Sequence, residues 1–147
     1  MNWPKTAVLA AAALLVSLPA SARIYSFDAV ATGAEQAPPV NTPGTATLTA
    51  TYDSDTRELR WIVTYAGLSG PPTAGHFHGP ADIGVNAGVV VPFEDDLASP
   101  IEGAVVLTEA QEADLLAGLW YLNLHTAAHP GGEVRAQLIP VELPAPS

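Results

Sequence analysis

The chain has no cysteine among its 147 residues. That absence excludes disulfides, thiolate metal sites and a cysteine nucleophile together, so any metal must be held by imidazole or oxygen ligands. Cations are scarce as well: five lysines and arginines face fifteen aspartates and glutamates. Such a surface repels phosphate backbones, and no aromatic-basic interleaving marks a nucleic-acid groove, so nucleic acid is excluded as a partner. The apolar run from Ala7 to Val16 is shorter than the roughly 20 residues that cross a bilayer, and no membrane span is expected. No Gly-x-Ser-x-Gly elbow, His-Glu-x-x-His helix or phosphate loop is present.

What is present begins with an address. Lys5, the run Ala7–Val16 and then Leu18-Pro19-Ala20-Ser21-Ala22 form a signal-peptide pattern over residues 1–22, with cleavage after Ala22. The expected location is periplasmic or secreted. About 125 residues remain, enough for one domain with one core. Four arginines (Arg23, Arg57, Arg60, Arg135) then stand against fifteen acids, a formal charge of −11 with histidine neutral. Without disulfides, stability must come from the core, supplemented by any bound ligand.

Period-2 alternation dominates, which predicts an all-β domain. Strands are expected at 24–30, 44–52, 58–66, 75–78, 88–91, 101–106, 119–125 and 133–139. Turn signals such as Asn41-Thr42-Pro43-Gly44 and Ser69-Gly70-Pro71-Pro72 separate them. About eight short strands at this spacing predict a Greek-key β-sandwich or barrel. One segment departs from the alternation. Thr108-Glu109-Ala110-Gln111 carries a capping box, and Gly118 offers a stop, so a short connecting helix is expected between them. The tail, residues 140–147, has three prolines and is expected to be flexible.

All four histidines fall in two windows. In Gly75-His76-Phe77-His78-Gly79, strand alternation puts both imidazoles on one face, about 7 Å apart at Cα, with Phe77 on the other. The flanking glycines are expected to leave backbone room, and Pro80 to end the strand. In Trp120-Tyr121-Leu122-Asn123-Leu124-His125, the apolar positions form the core face and Tyr121, Asn123 and His125 the opposite one. The partner strand repeats the pattern, with Glu133, Arg135 and Gln137 outward, and the two read as a hairpin whose loop holds His129. Clustered imidazoles suit copper or zinc rather than calcium or magnesium. An oxidising compartment without thiolates favours copper, with zinc as the alternative. The predicted metal ligands are His76, His78, His125 and His129, on the solvent-facing surface of the sheet. Asn123, Glu133 and Arg135 are the residues placed to support them. Glu133 has the chemistry to accept an imidazole N–H, against the plainer reading of Glu133 and Arg135 as a cross-strand or surface ion pair.

These segments resemble the CHRD domain family. The resemblance rests on Gly75-His76-Phe77-His78-Gly79-Pro80-Ala81, on Tyr121-Leu122-Asn123-Leu124-His125-Thr126, and on His129-Pro130-Gly131-Gly132-Glu133-Val134-Arg135-Ala136-Gln137-Leu138. Phe27-Asp28-Ala29 and Glu35-Gln36-Ala37-Pro38-Pro39-Val40 extend it, giving a CHRD domain over residues 23–139. Ala136 departs from the glycine usual in that family, a small change on the core face. The resemblance implies an exported domain and no particular chemistry. A looser structural analogy links the His-x-His strand to the copper site of Cu,Zn superoxide dismutases. The cysteine pair and long zinc-binding loop of that family are missing here.

Three functions stay open on these residues. The first is an exported metal-binding protein that stores, delivers or sequesters copper. The second is a metal-free adhesion or protein-interaction module, with protein partner unknown and self-association open. The third, an enzyme such as a dismutase-like metalloenzyme, ranks last, because it needs an open coordination position and no catalytic residue is marked.

Overall fold

A computed structural model describes residues 21–146. The predicted signal peptide lies outside the described residues except for its last two. Nine strands form: β1 (Ile24–Thr32), β2 (Thr45–Asp53), β3 (Glu58–Ala66), β4 (Pro72–His78), β5 (Val89–Pro92), β6 (Ile101–Val106), β7 (Trp120–Thr126), β8 (Val134–Leu138) and β9 (Val141–Glu142). A 3-10 turn at Gly33–Glu35 follows β1, and helix α1 (Glu109–Leu116) joins β6 to β7. The expected all-β fold with one connecting helix is what forms. Strands 58–66 and 101–106 have the expected bounds, while β4 begins three residues before the predicted 75–78.

Every strand pair is antiparallel, and the sheet runs β5-β4-β7-β8-β1-β2-β3-β6. The chain crosses between the two halves from β3 to β4, from β5 to β6, and through α1 from β6 to β7. Twist curls this sheet into an open barrel with β5 and β6 as its two edges. The alternation read in the sequence decides which side is inside. In β2, Ala46, Leu48, Ala50 and Tyr52 are buried, while Thr45, Thr47, Thr49 and Thr51 are exposed. Leu59, Trp61 and Val63 of β3 face the same interior.

Aromatic contacts join the two halves across that interior. Trp61 meets Phe77 of β4 edge-on at 5.1 Å and stacks on Phe93 at 5.3 Å. The register places Gly103 of β6 beside Trp61, and the indole lies directly on the glycine backbone where a Cβ would stand. Gly103→Ala is therefore expected to overpack the core by about 1–3 kcal/mol. Urea unfolding checks this as a lower midpoint with an unchanged slope.

Helix α1 starts as its capping box predicts. Gln111 N donates to Thr108 Oγ1 at 3.2 Å, and Thr108 N donates to Gln111 Oε1 at 3.0 Å. Gly118 follows at φ +75°, a left-handed position suited to glycine at a helix end. The C-terminal tail departs from expectation. Val141–Glu142 pair with Tyr25 and Ser26 of β1, and Leu143 N donates to Ile24 O at 2.8 Å. β8 meets β1 only at Thr32, so the other end of β1 keeps a free edge. The residues between Pro140 and Pro144 retain the N–H groups needed to pair with it.

Candidate metal centre

The register of β4 on β7 assembles three of the histidines. His76 lies opposite Asn123 and Ala74 opposite His125, so His125 is the diagonal neighbour of His76 on the same face. One nitrogen from each of His76, His78 and His125 lies within 4.8 Å of the others. His76 Nδ1 and His125 Nε2 are 3.1 Å apart, and in the metal-free chain Nδ1 donates to Nε2. Two nitrogens bound to one copper or zinc at about 2.0–2.1 Å stand roughly 2.9 Å apart at a right angle and about 3.4 Å apart at a tetrahedral one. The observed separation falls between these values, so this pair fits two neighbouring positions on one ion.

Two of the rings have fixed tautomers. His78 Nδ1 donates to Ala87 O at 3.0 Å, and His125 Nδ1 donates to Pro130 O at 2.9 Å. A carbonyl can only accept, so each Nδ1 carries the proton and each Nε2 presents a lone pair. Among the described residues, His78 Nε2 is buried without a hydrogen-bond partner, as are Tyr52 Oη, Trp61 Nε1, Trp120 Nε1 and Gln137 Oε1, and of these atoms it alone belongs to the histidine cluster. The pKa values of His76 and His78 are both lowered, first by burial, with the neighbouring imidazoles adding to the effect; at His78 the Ala87 hydrogen bond opposes it in part. Both shifts favour the neutral ring, the form that binds metal.

The layer around the rings differs from the solvated surface expected. His78 is only 8% exposed, while His76 and His125 are half-buried, so the cluster opens to solvent on their side. Tyr121 stacks on His78 at 4.9 Å with ring planes 5° apart, and the Arg135 guanidinium lies 3.5 Å over the other face of Tyr121. Arg135 donates to Asn86 Oδ1 at 3.0 Å and Val85 O at 2.7 Å, and Ala87 N donates to the Tyr121 hydroxyl at 3.0 Å. These contacts hold the 82–88 loop over the sheet. Asn123 accepts from Gln36 Nε2 at 2.7 Å, which fastens the segment after the 3-10 turn alongside. Asn123, Glu133 and Arg135, read as outward, do point away from the core, yet all three are buried beneath loops.

Three further expectations are corrected. His129 stays outside the cluster: its Nε2 is 3.9 Å from Glu133 Oε1, and its backbone closes the turn by bonding with Thr126 and Gly132. Glu133 and Arg135 do not pair with each other, and Glu133 accepts no cluster imidazole. Instead the Glu133 carboxylate accepts from Ser69 N at 3.0 Å, from Ser69 Oγ, from Thr126 Oγ1 at 2.9 Å and from Thr42 Oγ1 at 3.1 Å. Lastly, the flanking glycines leave no spare room. A Cβ at Gly75 would stand 2.6 Å from the Phe93 ring, and one at Gly79 2.5 Å from Trp120. Both are glycine because core aromatics press against the strand.

Sequence reasoning passed over Tyr121 and the 82–88 loop as parts of the site. Tyr121 shares a face with Asn123 and His125, and that parity was the available signal. A wide depression of about 580 Å³ lies elsewhere, on the outer face of β2, β3 and β6, and no histidine lines it. Among the described residues, no helix is long and apolar enough to cross a membrane.

Fold and site together define an open all-β barrel with a cluster of three imidazoles on the outer face of its β4–β7 pair. The CHRD domain family model matches residues 27–138, and the chain belongs to that family. No curated protein and no solved structure matches it, so the dismutase analogy carries no argument.

Proposed function

We propose that this CHRD domain is an exported copper-binding protein that holds one Cu²⁺ on His76, His78 and His125, for storage, delivery or sequestration. One observation carries the reading. Three imidazole nitrogens converge within 4.8 Å, and His78 Nε2 among them is buried with its lone pair unused. The preference for copper over zinc rests on chemistry. Copper(II) outranks zinc at nitrogen sites, and no thiolate is present to reverse the order. The half-exposed side of the cluster gives an ion a way in, and leaves a coordination position for water or for a group from a partner that receives the metal.

The test is a calorimetric titration of the metal-free chain with Cu²⁺ and with Zn²⁺, followed by EPR of the copper form. The expected result is one saturable equivalent, tighter for copper, with nitrogen hyperfine structure. A chain that shows no one-to-one step, or that keeps it with alanine at both His76 and His78, refutes the proposal.

The interaction-module reading has one observation in its favour. The loop that covers His78 exposes Ile83 and Val85, and Val89 is exposed just beyond it. Partner binding that survives alanine at all four histidines favours this reading over the metal one.

A further inference from the structure

The open edge of the barrel is built differently from the rest of the surface. Among the described residues, β5 pairs only with β4, and β6 only with β3, so each keeps one row of main-chain N–H and C=O groups without a strand partner there. Between these two edges lies a slot of about 220 Å³, walled by Trp61, Val90, Val91, Ala104 and Val105, with Gln111 of α1 also on its lining. Trp61 is 5% exposed, its indole edge lies against Gly103, and its Nε1–H has no acceptor. An occupant must therefore supply apolar groups to the aliphatic walls and main-chain donors and acceptors to the edges. An extended polypeptide supplies both.

Charge narrows the choice. Glu94 lines the slot, Glu102 is exposed on β6, and Asp95 and Asp96 lie in the β5–β6 connection. This acidic rim favours lysine or arginine at the solvent-facing positions of the incoming strand. We propose that the β5–β6 slot is a docking site for an extended peptide strand of another protein. That strand alternates aliphatic and basic residues and completes the barrel by adding main-chain hydrogen bonds to one or both edges. Side chains of such a strand alternate between faces, which sends the aliphatic set toward Trp61 and Val105 and the basic set toward Glu102. The inference is independent of metal at the histidines, which lie on the other side of β4 from Phe77 and the core.

The probe is an acetylated and amidated nine-residue peptide of alternating valine and lysine, added to the ¹⁵N-labelled chain. The expected result is saturable shifts of the Trp61 indole N–H and of β5 and β6 amides. The same peptide N-methylated at every backbone nitrogen keeps every charge and is expected to bind at least about tenfold more weakly, because it has no N–H to donate to either edge. Glu102→Lys, an exposed change, is expected to weaken the unmethylated peptide about fivefold or more. Equal binding of both peptides means simple charge adhesion and overturns the proposal, as does saturation that leaves the Trp61 indole unmoved. A peptide-free chain that is already dimeric, with β6 amides protected from exchange, assigns the slot to a second copy and also overturns it.

Discussion

Replacing His78 with alanine is expected to weaken Cu²⁺ binding by more than about 100-fold. The loss of a supporting hydrogen bond to a metal ligand already costs roughly 10- to 100-fold, and His78 is a ligand in the proposed site. It is also the ring most completely prepared for the task. Its Nδ1 proton is committed to Ala87, its plane is clamped by Tyr121, and its Nε2 lone pair has no other partner. Little reorganisation is left to oppose coordination, so removing it forfeits a preorganised donor. Without metal, the same variant is expected to melt within a few degrees of the parent. It loses a stacking contact and the hydrogen bond to Ala87, about 1 kcal/mol each, but also removes a buried unpaired nitrogen that costs about 1–3 kcal/mol. Competition titration against a chelator of known copper affinity measures the first effect, and a thermal melt of the metal-free chain measures the second. Unchanged copper affinity in a folded His78→Ala chain means that the ion, if bound at all, is held elsewhere.

Glu133→Gln is expected to destabilise the fold by about 3 kcal/mol. The Glu133 carboxylate has no exposed surface, and it gathers donors from Thr42, Ser69 and Thr126, three separate stretches of chain. A glutamine keeps the shape, but its amide sets a donor against groups that already donate, leaving buried hydrogen-bonding groups unsatisfied. The pH dependence follows with a definite sign. Burial by itself raises the pKa of Glu133, but the hydrogen bonds from Ser69, Thr126 and Thr42 outweigh it and hold the carboxyl below its ordinary value of 4.5. The folded form thus favours the ionised group more than the unfolded chain does. The resulting stability is fully present above the unfolded value and is lost as pH falls below about 4.5 through the folded one. Urea midpoints between pH 7 and pH 3 are expected to fall for the parent and to change less for Glu133→Gln. Parallel curves for the two proteins contradict the assignment.

The interior was largely legible in the chain. Alternation in Thr45–Asp53 and Glu58–Ala66 gave strand positions and the core face, because a strand with one dry side must place apolar groups on every second residue. Thr108 and Gln111 gave the helix start, because a capping box is local chemistry. His76 and His78 shared a face by the same parity, and the match to the CHRD family lay in motifs visible along the chain. The tail was harder to read. Its pairing depends on β8 leaving one end of β1 uncovered, which no local pattern records.

For the site, the chain alone determined that His76, His78 and His125 sit on strand faces turned away from Phe77 and Leu124. Parity is a property of one strand and needs no partner. Tertiary structure decided the rest. The register of β4 on β7 brings His125 to His76 and leaves His129 in the turn, and the 33–42 and 82–88 segments close over Asn123, Glu133 and Arg135. Alternation says which way a side chain points, and only the folded chain shows what lies there to meet it. For Glu133 that was a ring of hydroxyl and amide donors; for His78 it was Tyr121, the Ala87 carbonyl and a lone pair left without a partner.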